Sequence, residues 1–423
     1  MARHFLKDDD VTAAEQAEIL ELAGELKAAP YSRRPFAGPK TVALIFDKTS
    51  TRTRVSFTVG VADLGGNPMT IDTGTSQMGK KESIADTARV LERQVATIVW
   101  RTYAHAGLEE MAQYSSVPVI NSLSDDYHPC QILADLLTIK EHKGQLKGKK
   151  FAYVGDASNN MANSYLIGMA LAGMHVAVAG PSQYLPNAAI VARAQEIAAQ
   201  QGGSVLVTTD AAEAVAGADA VATDTWISMG QEDEKEQRIK DFAGFTVDQA
   251  LMAKANSDAI FLHCLPAYRG YEVSAEVIDG TQSVIWDEAE NRLHAQKALM
   301  VWLAERSKKK AAFPRLTSVG PVVCLVLALS SQLTQLSPAL ANPSPAPVSG
   351  SSDIDRIAAK TQRFANTLIG KLPSTAGRSA RAHGYFLRIT SVDGAPRWVT
   401  MDYWATRIEL EFVHGRISKA SVG

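Results

Sequence analysis

The stretch TVALIFDKTSTRTR, residues 41–54, joins an apolar run to a cluster of hydroxyl and guanidinium groups. Val42–Phe46 is apolar throughout, which is typical of a strand buried on both faces of a sheet. The apolar spacing from Val55 to Ala62 predicts a helix, and Gly65 follows it as a stop signal. A buried strand that leads into a helix is the repeating unit of α/β proteins.

Ser50-Thr51-Arg52-Thr53-Arg54 lies where that helix begins. A helix N-terminus offers unpaired backbone N–H groups and the positive end of the dipole, and both suit an anion. The planar forks of Arg52 and Arg54 match the geometry of phosphate. These residues favour a phosphate pocket, but a plain Ser/Thr N-cap beside two solvated arginines explains the same five residues equally well.

Composition narrows the class of protein. The chain has 423 residues, 46% of them hydrophobic, so it is long enough for two or three domains with large cores. Its net charge of -2 argues against a general nucleic-acid binder. Cys130, Cys264 and Cys324 are widely spaced and odd in number, which predicts a reducing compartment rather than a disulfide framework. The start, Met1–Asp10, lacks the apolar core of a secretion signal.

Short apolar runs alternate with helix-like segments up to about residue 305. The strand candidates are Thr41–Phe46, Ala96–Val99, Phe151–Val154, His175–Ala179, Ser204–Thr208, Ala220–Thr223, Ala259–His263 and Ser283–Trp286. The helix candidates include Ser83–Glu92, Cys130–His142, Ala188–Gln200 and Ala289–Ala304. This alternation predicts an α/β fold with two doubly wound parallel-sheet domains, because about 300 residues exceed one core. With the boundary at the polar turn Lys143–Lys150, the domains are 1–142 and 143–288, and 289–305 forms a last helix joining them.

The character of the chain changes after residue 305. Residues 306–352 combine the basic cluster Arg306–Lys310, the apolar run Val319–Leu329, an A-x-A pattern at Ala339-Leu340-Ala341 like that of a signal-peptide cleavage site, and a Pro/Ser-rich stretch. The apolar run is too short to span a bilayer as a helix, and the combination resembles a secretory signal peptide inside the chain.

Residues 353–423 are predicted to form a small separate α+β extension. An amphipathic helix precedes strand candidates Tyr385–Ser391, Arg397–Tyr403 and Arg407–Val413, with a turn at Asp393-Gly394. We expect this extension to be an unrelated sequence joined to a complete protein; an accessory domain on a linker is the alternative.

Two polar motifs stand at element ends in the first half. Arg101 follows the run Ala96–Val99, and ligands of α/β sheets bind at strand ends, although a lone surface arginine fits as well. Pro129 suits a first helical position, which puts His128 at the N-cap and Gln131 in the first turn. Both side chains are suitable donors to a carbonyl oxygen that gains charge in acyl transfer; a capping histidine is the alternative.

Two further motifs follow strands in the second half. Asp224 and Ser228 follow the strand Ala220–Thr223 and suit an ammonium group. The polar stretch Gln231–Lys240 after them predicts a mobile loop that acts as a lid. His263-Cys264-Leu265-Pro266 ends another strand, where Cys264 is a nucleophile, a neighbour of the ligand or a buried small residue. The spacing of His263 and Cys264 is not that of a zinc site, so we expect no metal.

The turn Gly155–Asn160 follows a strand but lacks the glycines of a dinucleotide site, so we expect no such cofactor. Asn160 and Asn163 remain candidate binders of a carboxylate or an amide.

Together these motifs resemble the aspartate/ornithine carbamoyltransferase family, and within it the ornithine branch. Lys48 with Ser50–Thr53 matches the carbamoyl-phosphate signature, and His128–Gln131 matches the second shared motif. Asp224–Gly230 is similar to the ornithine loop, His263–Pro266 to the signature of the ornithine branch, and Glu290-Asn291-Arg292 to the element before the last helix. The motifs occur in the family's order along residues 1–305.

The resemblance implies roles for the site residues. The residues implied to bind carbamoyl phosphate are Ser50, Thr51, Arg52, Thr53, Gln77, Arg101, His128, Gln131, Cys264, Leu265 and Arg292. Of these, Arg101, His128, Gln131, Cys264 and Arg292 form the implied catalytic set. The residues implied to bind ornithine are Asn160, Asp224, Ser228 and Met229. The segment Gln77–Lys81 resembles a loop that reaches into a neighbouring site.

The resemblance also implies the activity, which is transfer of a carbamoyl group from carbamoyl phosphate to the δ-amino group of L-ornithine. It implies a cytoplasmic homotrimer with no cofactor, no metal, no nucleic acid and no membrane partner. The alternatives are a carbamoyltransferase for another amine, such as aspartate, putrescine or an acylated ornithine, and a non-catalytic relative that binds carbamoyl phosphate. Asp224 favours an ammonium group over a second carboxylate.

Overall fold

The computed structural model describes residues 2–72, 74, 78, 81–228, 231–310, 351–371, 376, 379, 385–392, 395–396, 407–413 and 416–422. The chain divides into two compact units, Met1–Val319 and Gly320–Gly423.

The first sheet contains the strand of the opening motif. Its strands are β1 (Thr41–Phe46), β2 (Asn67–Asp72), β3 (Thr97–Arg101) and β4 (Val119–Leu123). They are all parallel in the order β2-β1-β3-β4, and β1 is buried from Val42 onward, as its apolar sequence predicts. The helices of this part are α1 (Ala13–Ala28), α2 (Thr51–Asp63), α3 (Ile84–Leu91), α4 (His105–Tyr114) and α5 (Pro129–Lys143).

A second parallel sheet follows. Its strands are β5 (Lys150–Val154), β6 (His175–Ala179), β7 (Ser204–Thr208), β8 (Ala220–Thr223) and β9 (Ile260–His263). The order is β7-β6-β5-β8-β9, so the chain moves outward from β5 first to one side and then to the other. The carboxyl ends of strands at such a reversal form a crevice. The helices here are α6 (Asn160–Leu171), α7 (Ala188–Gln201), α8 (Ala211–Val215), α9 (Lys235–Asp241), α10 (Gln249–Met252) and α11 (Ala275–Ile278). The predicted α/β class with parallel sheets is confirmed.

The long helix α12 (Ile285–Lys310) returns to the elements of the first sheet. The Lys297 ammonium group, fully buried, donates to Asp63 Oδ2 at 2.8 Å and to the Pro30 carbonyl at 2.7 Å. Trp302 Nε1 donates to Glu18 Oε2 at 3.1 Å. These contacts fix the rotation of α12 and therefore the direction in which Arg292 points.

The boundaries of α12 correct two predictions. Ser283–Trp286 is not a strand, since Ser283 forms only an isolated bridge with Phe261 and the helix begins at Ile285. Asp287 and Glu288 in the first turn favour a helix start over a strand. The last helix also extends beyond the predicted 289–305 through the basic cluster to Lys310, because basic residues are good helix formers that suit a helix C-terminus.

Two strands of the first unit, β2 and β4, were absent from the predicted set, as were the strands of the second unit at Ala395–Pro396 and Arg416–Val422. β2 includes Pro68 and is only partly buried, so it lacks the apolar run of a central strand. β4 contains the polar residues Asn121 and Ser122, both fully buried. Polar side chains inside β4 hide its burial from sequence reading, since Asn121 Nδ2 finds its partner, the Leu6 carbonyl at 2.8 Å, only in the folded chain.

The segment predicted as a mobile lid is largely helical. α9 buries the guanidinium group of Arg238, which forms an ion pair with Asp156 and donates from Nε to the Trp226 carbonyl at 2.5 Å. The same group lies 4.7 Å from the centre of the Tyr184 ring. A buried, paired arginine holds this polar stretch in place. The sequence does not reveal this contact, because the stretch has few apolar residues.

The second unit contains a helix and a four-stranded sheet. They are α13 (Ser351–Asn366), β10 (Phe386–Val392), β11 (Ala395–Pro396), β12 (Arg407–Val413) and β13 (Arg416–Val422). The order is β11-β10-β12-β13, with β10 and β12 parallel and the other pairs antiparallel. A small core includes Ala365, Leu368, Ile408 and Leu410. The predicted small α+β extension is confirmed, and α13 begins at Ser351, just inside the predicted linker.

Several predicted segments lie outside the described residues. They are the apolar run Val319–Leu329, the Ala339–Ala341 site, the turn Asp393-Gly394 and the strand candidate Arg397–Tyr403. No helix in the described ranges is long and apolar enough to cross a membrane.

Candidate active site

A cavity of about 700 Å³ lies at the carboxyl ends of strands from both parallel sheets. The predicted site residues that line it are Ser50, Thr51, Arg52, Thr53, Arg101, His128, Asn160, Asp224, Ser228, Cys264, Leu265 and Arg292. Gln131 is buried beside this set and is not part of the lining. Gln77 and Met229 lie outside the described residues. Residues from seven distant motifs therefore share one cavity, as parallel strands with a common edge require.

The α2 N-terminus forms the most basic part of the cavity. Ser50 is the N-cap, and its Oγ accepts from the Thr53 N–H at 3.3 Å. Arg292 Nη2 donates to Thr53 Oγ1 at 2.7 Å, and Arg52 Nη2 donates to the Leu265 carbonyl. The N-cap and the phosphate pocket are therefore compatible. Ser50 caps one helix N–H group, and other N–H groups of the first turn stay free to bind a phosphate.

Three guanidinium groups converge here with unused donors. The Nε atoms of Arg52, Arg101 and Arg292 are buried and have no hydrogen-bond partner among the described residues. Burial, followed by the charge of Arg292, lowers the pKa of Arg101 to about 10, so it stays charged at neutral pH. Buried unpaired donors of like charge are costly unless an anion completes the site. The arrangement therefore suits a phosphate group.

Arg54 does not belong to this cluster, which corrects the suggestion that both arginines of the motif face phosphate. It forms an ion pair with Asp72 and lies 4.7 Å from the centre of the Phe46 ring. On a helix, side chains two positions apart point in different directions, so Arg52 and Arg54 cannot share one ligand.

His128 has the position predicted from Pro129. It is the residue before α5, and its backbone N–H donates to Ser164 Oγ at 2.9 Å. Burial, followed by the charges of Arg292 and Arg101, lowers the pKa of His128 well below its usual value. Its Nδ1 is buried without a partner in the described part of the chain. The imidazole is therefore neutral at physiological pH and has a ring nitrogen available to a ligand.

Gln131 requires a correction of its predicted role as a donor. Its Nε2 donates to Asp135 Oδ1 at 2.8 Å and to Glu288 Oε1 at 3.0 Å, while its Oε1 has no partner among the described residues. The free atom is therefore an acceptor, which suits an amino group rather than a carbonyl oxygen.

Asp135 and Glu288 form a buried carboxyl pair that sequence reasoning missed. Burial raises the pKa of both, that of Asp135 to about 6, and the charge of Asp135 raises the pKa of Glu288 further. Two buried carboxyl groups in contact cannot both ionise readily, so one proton stays with the pair. Asp135 within the apolar helix sequence ILADLLTI was the available signal.

The cavity also has an acidic part. Asp224 is buried, and Cys264 Sγ donates to its Oδ1 at 3.3 Å. Burial, followed by the charge of Asp224, raises the pKa of the Cys264 thiol well above its usual value, so this cysteine is a thiol and not a thiolate nucleophile. A buried carboxylate in the same cavity as three arginines suits a ligand cation.

The two candidate asparagines differ in position. Asn160 lines the cavity, and its Nδ2 donates to the Ser124 carbonyl at 2.6 Å. Asn163 Nδ2 donates to the Asp126 carbonyl at 3.1 Å, and Asn163 is not part of the lining. Asn160 alone of the pair lines the cavity, although the buried Oδ1 of Asn163 has no partner among the described residues.

One group of side chains has the geometry of a metal site. Ligand atoms of Asp224, His263 and Cys264 all lie within 4.8 Å of one another, although their sequence spacing is not that of a zinc motif. Both ring nitrogens of His263 already have partners, the Leu265 N–H at 2.9 Å and Glu272 Oε1 at 3.3 Å. A metal ion here would have to displace one of them.

Other residues of the lining were not predicted. Lys48, part of the signature, forms an ion pair with Asp125 and lies 4.4 Å from the centre of the Tyr103 ring. Lys235, Tyr268 and Tyr271 also line the cavity. Asp125 follows β4, so recognition of that strand would have placed it at the common edge.

Comparison with known proteins identifies both halves of this unit. Residues 3–141 match the family model described as "Aspartate/ornithine carbamoyltransferase, carbamoyl-P binding domain". Residues 147–303 match the one described as "Aspartate/ornithine carbamoyltransferase, Asp/Orn binding domain".

Curated relatives agree with these matches. The chain is 65% identical over 311 residues to an ornithine carbamoyltransferase of Renibacterium salmoninarum, an alignment that covers 73% of this chain and 100% of the relative. It is 64% identical over 307 residues to that of Clavibacter sepedonicus, with the same coverage of 73% and 100%.

Solved structures extend the similarity to the fold. The ornithine carbamoyltransferase of Pyrococcus furiosus is 48% identical with a TM-score of 0.68, over 70% of this chain and 96% of that one. The anabolic enzyme of Campylobacter jejuni is 43% identical, also with a TM-score of 0.68, over 72% of this chain and 99% of that one. The chain belongs to the aspartate/ornithine carbamoyltransferase family.

Proposed function

We propose that this chain transfers the carbamoyl group of carbamoyl phosphate to the δ-amino group of L-ornithine, giving L-citrulline and phosphate. The observation that carries the proposal is one cavity lined by both a basic and an acidic group of side chains. Three arginines with buried, unused Nε donors line it, and so does the buried Asp224 beside a neutral thiol. Relatives that carry the name ornithine carbamoyltransferase at 65% and 64% identity support ornithine over other acceptors.

Carbamoyl phosphate binds at the basic part. The phosphate lies on the α2 N-terminus, held by Ser50, Thr51 and Thr53 and neutralised by Arg52 and Arg101. Arg292, which already contacts Thr53, neutralises the phosphate as it leaves. Gln77 belongs to this set through the family resemblance alone.

The carbamoyl group contacts hydrogen-bond donors through its oxygen and acceptors through its amino group. His128 and the guanidinium groups donate to its oxygen, which becomes more negative as the amine attacks. Its amino group donates to the Leu265 carbonyl and to the free Oε1 of Gln131. The carbonyl carbon is thereby fixed in line with the acceptor.

Ornithine binds at the acidic part. Asp224 attracts its α-ammonium group, and Asn160, Ser228 and Met229 hold its amino-acid end. Cys264 lies beside the attacking amine as a neutral thiol. The amine attacks directly and the C–O bond to phosphate breaks, so positioning and charge stabilisation supply the catalysis without a covalent enzyme intermediate.

The organisation follows from the same family. We propose residues 1–142 as the carbamoyl-phosphate domain, residues 143–288 as the ornithine domain, and a cytoplasmic homotrimer with sites at subunit interfaces. Val55 and Val59 on α2 are exposed by 54% and 40% in the single chain. Exposed apolar side chains beside the phosphate motif support a surface that a neighbouring subunit covers. Light scattering of the purified protein measures the mass, and a monomer would contradict the trimer.

Turnover with a panel of amines tests the activity. Citrulline should form from carbamoyl phosphate and ornithine, while aspartate and putrescine should give less than about 1% of that rate, since each lacks one end of the ornithine contacts. A non-catalytic relative would form no citrulline at any substrate concentration. A faster rate with another amine would reassign the acceptor.

A further inference from the structure

The loop after β9 presents a backbone carbonyl to the active site in an unusual conformation. Leu265 has φ of 58°, in the left-handed region that side chains other than those of Gly, Asn and Asp rarely adopt. Its carbonyl accepts from Arg52 Nη2, so the conformation of Leu265 sets the position of a phosphate-binding arginine. Such a conformation persists only where the surroundings hold it.

Two side chains outside the cavity lining hold this loop. His263 Nδ1 accepts from the Leu265 N–H at 2.9 Å, and Glu272 Oε1 accepts from the Tyr268 N–H at 2.6 Å. His263 Nε2 lies 3.3 Å from the same Glu272 oxygen. The imidazole and the carboxylate therefore join the two ends of the segment Leu265–Tyr268 into one hydrogen-bonded unit.

The unit has a defined protonation. A ring nitrogen that accepts from a backbone N–H carries no proton, so the proton of a neutral His263 is on Nε2, where it faces Glu272. His263 is 1% exposed and Glu272 is 0% exposed, so water cannot replace either partner. The second oxygen, Glu272 Oε2, is buried without a partner among the described residues.

We propose that Glu272 is a positioning residue of the transfer reaction, which acts through His263 to hold the Leu265 carbonyl, and with it Arg52, against carbamoyl phosphate. The inference rests on the proposed function. Loss of a merely structural carboxylate would affect both substrates. Loss of Glu272 should instead affect the use of carbamoyl phosphate alone.

Replacement of the carboxylate tests this. Glu272→Met removes the acceptor for both N–H groups at similar volume, and we expect kcat/KM for carbamoyl phosphate to fall about a hundredfold while KM for ornithine changes less than about twofold. Glu272→Gln keeps one oxygen for both donors and should recover activity to within about fivefold of wild type. Glu276→Met, an exposed position on α11, is the matched control.

The outcomes are separable. A folded Glu272→Met protein with wild-type kcat/KM for carbamoyl phosphate, or one in which KM rises equally for both substrates, overturns the positioning role. If that variant does not fold, His263→Asn retains an acceptor for the Leu265 N–H but loses the link to Glu272. It should then show the same carbamoyl-phosphate defect, and wild-type kinetics would refute the proposal.

Failure of the proposed function would look different. In that case the wild-type chain itself would form no citrulline. Calorimetric binding of carbamoyl phosphate without ornithine would still report on the loop, with binding expected to weaken about tenfold or more in Glu272→Met. Equal binding by the two proteins would refute the positioning role independently of turnover.

Discussion

Arg52 is the residue on which the phosphate part of the site depends most directly. Its guanidinium joins the α2 N-terminus to the Leu265 carbonyl and keeps an unused buried donor. We expect Arg52→Gly to lower kcat/KM for carbamoyl phosphate at least about a hundredfold, which corresponds to about 3 kcal/mol of lost transition-state binding. Steady-state kinetics measure it. Arg33→Gly, in an exposed loop, is the control, and unchanged kinetics in Arg52→Gly would remove this arginine from the site.

Asp224 belongs to the acceptor part of the site and should separate the two substrates. Asp224→Asn keeps the size of the side chain and removes the charge that attracts the ornithine ammonium group. We expect KM for ornithine to rise at least about thirtyfold, or about 2 kcal/mol, with carbamoyl-phosphate binding within about twofold of wild type. Asp86→Asn, on an exposed surface, serves as the control. Equal losses for both substrates would show that Asp224 acts on folding instead.

The pH dependence follows from the protonation of the amine. A free δ-amine has a reference pKa near about 10 and attacks only when neutral, so the rate should rise with pH between about 6 and 9. His128 should not add a limb near its usual value, because burial and two arginines hold its pKa well below that range and keep it neutral. A pH–rate profile measures this, and a flat profile would contradict attack by a free amine.

At the scale of the element, helix α1 has a pH-sensitive start. Thr12 Oγ1 accepts from the Glu15 N–H and Glu15 accepts from the Thr12 N–H, while Arg3 donates to the same carboxylate at 2.7 Å. The hydrogen bond from Arg3, more than any other cause, lowers the pKa of Glu15 from 4.5 to about 2. Because the folded pKa is depressed, this stabilisation is complete above about pH 4.5 and lost as pH falls toward about 2.

We therefore expect Glu15→Gln to destabilise the protein at about pH 6 and to have little effect at the acid end of that window. Solvent screens this partly exposed pair, so the difference should stay below about 1 kcal/mol. Thermal unfolding at several pH values measures it, with Glu109→Gln, exposed on α4, as the control. A difference that grows as pH falls would have the wrong sign for a depressed carboxyl pKa.

Another consequence at this scale concerns α12. Its helical hydrogen bonding extends through the basic cluster to Lys310, and Arg306 contacts both Glu18 and the ring of Trp302 at 4.1 Å. The residues that return to the first sheet therefore continue beyond the predicted end at 305. A truncation that spares the enzyme must leave this helix whole.

For the whole molecule, the extension should be dispensable. A chain ending at Lys310 retains the cavity and every described contact of the site, and both family matches end by residue 303. We expect its kcat and both KM values to lie within about twofold of those of the full chain. Kinetics and unfolding of the two proteins measure this. Loss of activity or folding in the shorter chain would establish residues 311–423 as a working part of the enzyme.

The sequence by itself determined the α/β class and most of the helices and parallel strands, because apolar runs and helical spacing are local properties. It also determined that Ser50 caps α2 and that Pro129 puts His128 at a helix start. Its errors were also local: β2 and β4 lack a clean apolar run, and α9 depends on a buried arginine. Family resemblance then supplied roles that spacing alone left open.

The tertiary structure decided which groups meet and in what state. Arg292 reaches Thr53 across 239 positions, and Arg52 reaches Leu265 across 213 positions, so no local pattern encodes either contact. The neutrality of His128 and Cys264 arises from burial among specific charges. The direction of the Gln131 amide is set by the carboxyl pair Asp135–Glu288. These properties depend on packing and desolvation, which exist only once distant parts of the chain are brought together.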